Sequence, residues 1–139
     1  MADNASRIEE LYGAFGRGDL DAVLGAMDPQ IEWNEAEHVT FWTGAPFVGP
    51  DAVVQGVFAR IPETFGDTFR IEPERFVDCG STVLVQARYH GVAQATGKEI
   101  DVQVAHVWDL GDDGKVTRFQ QYTDTWAFAE ATGETPEAS

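Results

Sequence analysis

Strict alternation of side chains marks residues 98–110 as a β-strand with one buried face. Because strand side chains point alternately to opposite faces, one face carries Ile100, Val102, Val104, His106, Trp108 and Leu110. A Gly-Asp-Asp-Gly turn at 111–114 and a second β-rich run to residue 128 follow, which predicts a hairpin. His106 is the only polar residue of that set, so it must find a hydrogen-bond partner or line a cavity.

Helical spacing of apolar residues predicts three helices in the first half of the chain. Residues 6–9 form a capping box that should begin the first helix, and Gly18 is placed to end it. Asp19 can cap a short second helix. The Pro-Asp pair at 50–51 begins the third helix, which Pro62 should end or distort.

Further strands are predicted at residues 31–35, 68–77 and 82–93, and Pro73 indicates an edge or a bulge within the second of these. Helices grouped first and strands grouped last are typical of an α+β fold. We therefore expect a cone-shaped, curved antiparallel sheet packed by three N-terminal helices around an internal pocket. We expect one domain over residues 6–131, flanked by disordered residues 1–5 and 132–139.

Composition and charge narrow the classes of partner. The 139 residues are 43% hydrophobic and 12% aromatic, which suits one globular domain with a lined cavity. A net charge of −15 makes nucleic acid and anionic membrane surfaces poor partners. With one cysteine, Cys79, and no secretory leader or long apolar run, we expect a cytoplasmic protein without an internal disulfide. No Gly-rich phosphate loop is present, so no organic cofactor is expected.

Two side chains are candidates for acid–base chemistry. His106 could move protons near neutral pH, although a hydrogen-bonded core histidine is an equally simple interpretation. Glu35 shares a strand face with Trp33, and a carboxyl beside tryptophan in an apolar pocket would have a raised pKa.

The irregular stretch 36–49 follows that strand and contains Glu37, His38 and Trp42. Long loops that carry aromatic residues are often binding loops or lids, but a solvated loop is the alternative. The spacing of these acidic and histidine residues matches no standard metal-ligand motif, so no metal site is expected.

Aromatic and neutral polar side chains could line the pocket, although any one aromatic residue is more often plain core. With Glu37 and His38, the candidates for ligand contact are Tyr12, Trp33, Trp42, Phe58, Tyr89, Trp108, Phe119 and Gln121. Together they favour a flat, apolar ligand over a charged one.

Five segments of the chain carry a resemblance to a known family. Residues 11–23 (LYGAFGRGDLDAV) resemble the opening helix pair of the nuclear-transport-factor-2-like superfamily. The segments IEW, FVGPDAV, AHVW and DGKVTRFQQYTDT, at 31–33, 47–53, 105–108 and 113–125, are similar to its SnoaL-like, ketosteroid-isomerase-related branch. The resemblance implies the cone fold and a homodimer formed through the outer sheet face.

The resemblance does not extend to the isomerase catalytic residues. The positions of the isomerase tyrosine, base and buried aspartic acid fall on Leu11, Trp33 and His106. SnoaL-like cyclases use an acid–base aspartate in the pocket, and Asp124, near the end of the last predicted strand, is its possible counterpart.

We therefore expect a protein that binds a small apolar or aromatic molecule in the cone. Acid–base isomerisation, cyclisation, hydration or dehydration would use His106 with Glu35 or Asp124. The alternative is a non-catalytic ligand carrier or a dimeric interaction module of the same fold.

Overall fold

The computed structural model describes residues 3–134, which form five α-helices and a six-stranded sheet. The helices are α1 (Asn4–Gly16), α2 (Leu20–Gly25), α3 (Pro50–Val53), α4 (Arg60–Phe65) and α5 (Thr125–Thr132). The strands are β1 (Met27–Asn34), β2 (Phe47–Val48), β3 (Arg70–Cys79), β4 (Thr82–Val92), β5 (Glu99–Leu110) and β6 (Val116–Thr123). The α+β prediction is confirmed.

The strand order in the sheet is β2-β1-β6-β5-β4-β3. Every neighbouring pair is antiparallel except β1 and β6, which are parallel, so the expectation of a purely antiparallel sheet is wrong at this pair. The reason is topological: the helical crossover after β2 carries the chain to the opposite edge. Three hairpin reversals from β3 to β6 then leave β6 parallel to β1.

The alternation in the second half of the chain is confirmed residue by residue. All six side chains of the predicted β5 face are buried, His106 included. The turn after β5 contains Gly114 with a φ of 77°, a left-handed conformation that glycine adopts without strain. β3 lies at the sheet edge, and its ladder to β4 is interrupted between Pro73 and Arg75, as a proline in a strand requires.

The chain ends differ from expectation. α1 begins at Asn4, not Ser6, because the Asp3 carboxylate caps it by accepting from the Ser6 backbone N–H at 2.7 Å. Residues 4 and 5 are therefore helical, and residues 1–2 lie outside the described part. The last strand stops at Thr123, and α5 follows it to Thr132; residues 135–139 of the expected disordered tail lie outside the described residues.

A π-helical turn, Val54–Phe58, connects α3 to α4. Pro62 lies in the first turn of α4 and lacks a backbone N–H, which leaves the carbonyl four residues earlier, on Phe58, without its helical partner. The predicted distortion therefore falls before the proline, while the helix continues to Phe65. The wide turn places Val57 and Phe58 against the core.

The core lies between the inner face of the sheet and the helices. α1 contacts β3 and β4, α3 contacts β1, and α5 contacts β5. Its largest fully buried side chains are Phe65, Phe119, Ile8 and Ile31. Among the described residues, no helix combines the length and the apolar character needed to cross a lipid bilayer.

Candidate functional site

A narrow cavity of about 60 Å³ lies inside the cone. Its walls are mainly apolar and aromatic, with Trp33, Phe58, Trp108 and Phe119 at their centre. The Trp33 and Phe119 rings stack with their centroids 3.8 Å apart. Against these walls five side chains bring polar atoms to the cavity: Tyr12, Glu35, Tyr89, His106 and Gln121.

His106 lies between two tyrosine hydroxyls. Its Nδ1 hydrogen-bonds the Tyr12 hydroxyl, which α1 supplies, and its Nε2 hydrogen-bonds the Tyr89 hydroxyl on β4 at 2.5 Å. The Trp108 indole N–H donates to the Tyr12 oxygen at 3.0 Å, and the Gln121 side-chain amide donates to the Tyr89 oxygen at 2.7 Å. The result is one buried chain of hydrogen bonds from β5 through α1 and β4 to β6.

The orientation of the Gln121 side chain determines whether its nitrogen or its oxygen faces Tyr89. The Ala36 backbone N–H donates to Gln121 Oε1 at 3.1 Å, so the side-chain nitrogen is the group that faces Tyr89. Strand alternation brings Gln121 to the same face as Phe119, and both are buried. The amide therefore links the start of the loop after β1 to the hydrogen-bond chain.

Tyr12, His106 and Tyr89 together carry one polar hydrogen more than their two mutual hydrogen bonds use. The two tyrosine O–H groups and the neutral imidazole N–H supply three hydrogens, but the two tyrosine–histidine contacts use only two. With the proton on Nε2 of His106, the Tyr89 hydroxyl keeps a free hydrogen; with the proton on Nδ1, the Tyr12 hydroxyl does. In either tautomer one tyrosine O–H remains available to a ligand.

Burial keeps His106, Tyr12 and Tyr89 uncharged at neutral pH. Desolvation lowers the pKa of His106 to about 3 and raises the pKa of Tyr12 well above its usual value. The pKa of Tyr89 is raised in the same way, with a smaller contribution from the charge of Glu35. His106 is therefore a neutral link between two hydroxyls, and any proton it passes moves by exchange of tautomer.

Glu35 is the one titratable group of the cavity whose charge changes near neutral pH. It follows β1 directly, points to the same side as Trp33 and is 6% exposed. Desolvation raises its pKa to about 7, although the Trp33 indole N–H, which donates to Oε2 at 3.0 Å, acts in the opposite direction. A carboxyl with this pKa can both accept and donate a proton under physiological conditions.

The structure brings most of the predicted site residues together. His106 and Glu35 line the cavity with seven of the expected ligand contacts: Tyr12, Trp33, Phe58, Tyr89, Trp108, Phe119 and Gln121. Within residues 3–134, no group of three or more His, Cys, Asp and Glu side chains is placed to hold a metal ion.

Four predicted residues lie elsewhere. Glu37 and His38 are exposed, and Trp42 is half-buried with its ring 4.6 Å from that of His38, because the loop after β1 turns Val39 and Phe41 toward the cavity instead. Asp124 is exposed and caps α5 by accepting from the Ala127 backbone N–H at 3.0 Å. The expectation that these residues line the pocket is wrong, because strand alternation does not continue past the ends of β1 and β6.

Sequence reasoning missed part of the wall, notably Val39 in the loop, Phe69 before β3 and Phe128 on α5. Phe128 was assigned to a strand because aromatic residues favour strands. The available signal was the capping aspartate three residues before Ala127, which marks a helix start. No local pattern distinguishes Val39 and Phe69.

The comparisons with known proteins agree with this fold. Residues 8–119 match the model of the SnoaL-like domain family. Among solved structures, an NTF2-like protein from Burkholderia thailandensis E264 is 32% identical, with 94% of this chain and 98% of that chain covered and a TM-score of 0.88. An NTF2-like protein of unknown function from Burkholderia pseudomallei K96243 is 25% identical, with 95% and 98% covered and a TM-score of 0.84. TerC, co-crystallised with polyporic acid, is also 25% identical, with 95% and 99% covered and a TM-score of 0.82. No curated protein matches the sequence.

Proposed function

The chain belongs to the SnoaL-like domain family, and on that premise we propose that it binds a small, largely apolar molecule in the cone and exchanges a proton with it at Glu35. One fold of this kind hosts many activities, so the proposal rests on the site. The observation that carries it is a buried carboxyl, with a pKa of about 7, in an aromatic cavity beside a hydrogen-bond chain that has one free donor. This chemistry needs no organic cofactor.

The walls support an organic ligand. Trp33, Phe58, Trp108 and Phe119 offer aromatic surface, and five polar side chains offer directed contacts, which is the usual composition of a small-molecule site. TerC, a relative that covers nearly the whole chain, was co-crystallised with polyporic acid, which supports binding of a small organic molecule here.

Ligand entry requires one wall to move. The cavity of about 60 Å³ is well below the roughly 150 Å³ of a cavity that accepts benzene. Residues 36–46 form a loop between β1 and β2 that contributes Val39 and Phe41 to the wall. Apart from Glu35 and Phe69, each directly next to a strand, the other lining residues belong to paired strands and helical segments, so we assign the movement to this loop.

The residues of the site then have separate roles. Glu35 takes or gives the proton. The free hydroxyl of Tyr12 or Tyr89 donates a hydrogen bond to a polar atom of the ligand and orients it, and the tautomer of His106 sets which of the two hydroxyls is free. Gln121 donates to the Tyr89 oxygen and accepts from the Ala36 backbone N–H, which keeps this end of the hydrogen-bond chain in place.

Incubation of candidate ligands in D₂O tests the proposal, because a molecule that exchanges a carbon-bound proton at Glu35 gains deuterium that NMR detects. We expect the wild-type protein to label such a ligand and Glu35→Gln to bind it without labelling. Glu37→Gln is the matched control, since that carboxylate is exposed. Equal labelling by the wild type and Glu35→Gln would contradict the role of Glu35.

A non-catalytic ligand carrier is the second candidate, and the presence of Leu11, Trp33 and His106 at the positions of the isomerase catalytic residues favours it. A carrier also needs the hydrogen-bond chain, but only to orient the bound ligand. Tight binding with no deuterium incorporation in any bound ligand would support the carrier and exclude the enzyme for those molecules.

We also propose that the outer sheet face pairs with a second copy. Tyr122 is 59% exposed on this face and Leu84 is 38% exposed. Arg88 pairs with Asp101 and Arg118 pairs with Glu32, each at 2.8 Å. These pairs reduce the negative charge on this face of an acidic chain, which lowers the repulsion between two copies.

A further inference from the structure

We propose that the ligand of the cone is a protonated amine, held by the Glu35 carboxylate and the surrounding aromatic rings. This inference rests on the proposed function, since it names the class of molecule that the same cavity takes. Its basis is the composition of the cavity, which contains a carboxyl group and several aromatic rings but, within residues 3–134, no lysine or arginine.

The cavity offers an anion no positive partner. Within residues 3–134 no lysine or arginine is among the lining residues. Arg60 lies with its Cζ 5.0 Å from the ring centre of Phe41, a lining residue, but is not itself part of the lining. His106 is neutral, and the two tyrosine hydroxyls are uncharged, so none of the three supplies a positive charge.

A cation meets the opposite conditions. Aromatic rings attract cations through their negative faces, most strongly for tryptophan and where water is excluded. Trp33 and Trp108 both line the cavity, and their indole N–H groups are engaged by Glu35 and Tyr12, which fixes the rings in place. The net charge of −15 also attracts cations to the protein rather than anions.

Glu35 has capacity for a further hydrogen bond. In the described part of the chain, the Trp33 indole is the one group that donates to this carboxylate, through Oε2. A buried carboxylate with a single hydrogen bond is costly, because burial strips it of water. An ammonium group that donates to the remaining lone pairs would supply both the hydrogen bond and the counter-charge.

The expected pH dependence of the amine affinity follows from the ionisation of Glu35 alone. The titratable groups that share the cavity with it are Tyr12 on α1, Tyr89 on β4 and His106 on β5, all neutral near pH 7; α5 contributes Phe128 and the loop Val39 and Phe41. An ammonium ligand pairs with the ionised carboxylate, so its affinity should rise with pH. With a pKa of about 7, ionisation of Glu35 increases about 30-fold between pH 5.5 and pH 8, and the affinity should increase by a similar factor.

Three probes of similar size separate the ligand classes: benzylamine, benzyl alcohol and benzoate. We expect calorimetry to show that benzylamine binds most tightly, that its affinity rises about 30-fold from pH 5.5 to pH 8, and that protons are released on binding at pH 6.5. Benzyl alcohol should bind more weakly and without that rise, and benzoate should bind least. Glu35→Gln should reduce benzylamine to the affinity of benzyl alcohol, while Glu37→Gln should leave all three unchanged.

The outcomes separate this inference from the proposed function. If benzyl alcohol or benzoate binds the wild type as tightly as benzylamine does, the amine inference is overturned while a ligand-binding cone stands. If none of the three binds, both are overturned. The pH dependence and proton release of the wild type decide the question even if Glu35→Gln does not fold.

Discussion

The hydroxyl of Tyr12 on the first helix hydrogen-bonds Nδ1 of His106 on the fifth strand, across 94 positions of sequence. The same oxygen accepts from the Trp108 indole. This contact joins the helical layer to the centre of the sheet through polar atoms, and it does so inside an otherwise apolar core.

Tyr12→Phe should destabilise the protein, because it leaves His106 Nδ1 and the Trp108 N–H without a partner in a site that excludes water. We expect a loss of about 1–3 kcal/mol in the free energy of unfolding, measured in urea. Ser81→Ala is the control, since it removes an exposed hydroxyl outside the hydrogen-bond chain and its effect should stay within about 0.5 kcal/mol. An unchanged midpoint for Tyr12→Phe would show that the hydroxyl contributes nothing to stability.

Glu35→Gln should change the pH dependence of stability in a defined direction. The pKa of Glu35 is raised in the folded state, so its contribution is fully present below pH 4.5 and is lost as pH rises through about 7. Relative to the wild type, Glu35→Gln should therefore gain up to about 3 kcal/mol between pH 4.5 and pH 8. Denaturation at several pH values measures this difference, and a difference independent of pH would contradict the raised pKa.

The contribution of His106 to stability should depend on pH in the opposite direction. Its pKa is lowered in the folded state, so its contribution is present above about pH 6.5 and is lost as pH falls toward 3. Relative to the wild type, His106→Gln should lose the most stability near pH 7 and progressively less toward pH 4. A loss of equal size at all pH values would show that the effect comes from packing alone.

Gln121→Ala should loosen the loop after β1, because the Ala36 backbone N–H loses its acceptor and Tyr89 loses its donor. We expect a loss of about 1–3 kcal/mol in stability and faster hydrogen exchange at the Ala36 amide. Gln103→Ala, an exposed site on β5, provides the control. Unchanged exchange at Ala36 would exclude Gln121 as the residue that holds this loop.

Tyr122→Glu should convert a dimer to a monomer, since it places a charge at the centre of the proposed pairing face. Analytical ultracentrifugation of the wild type should give twice the mass of the chain, and the variant the mass of one chain. Leu20→Glu, on the helical side, should remain dimeric. A monomeric wild type at high concentration would overturn the pairing.

Sequence reasoning succeeded where the signal is local. Alternation along β5 placed His106 on the inner face, and parity along β1 placed Glu35 beside Trp33, because strand geometry fixes both within a few residues. The partners of His106 could not be predicted in the same way. Tyr12 and Tyr89 reach it through tertiary packing, and no pattern in one sequence encodes that distance.

The errors occurred where an element ends. The resemblance places Asp124 in the pocket, whereas the structure makes it the N-cap of α5, where it accepts from the Ala127 backbone N–H. The alternation of β1 does not continue to Glu37, because the Ala36 amide bonds Gln121 and the loop turns Val39 toward the cavity instead. The first error reflects a local capping contact and the second a tertiary contact.

The parallel pairing of β1 with β6 has a consequence for how the chain folds. Trp33 lies opposite Phe119, so this pairing joins residues that leave the ribosome 86 positions apart. Until β6 is made, β1 has only the two-residue β2 at its side, and its other edge stays open to any extended chain. Folding should therefore be slow for a domain of this size, and the nascent chain should depend on protection from aggregation until its last strand arrives.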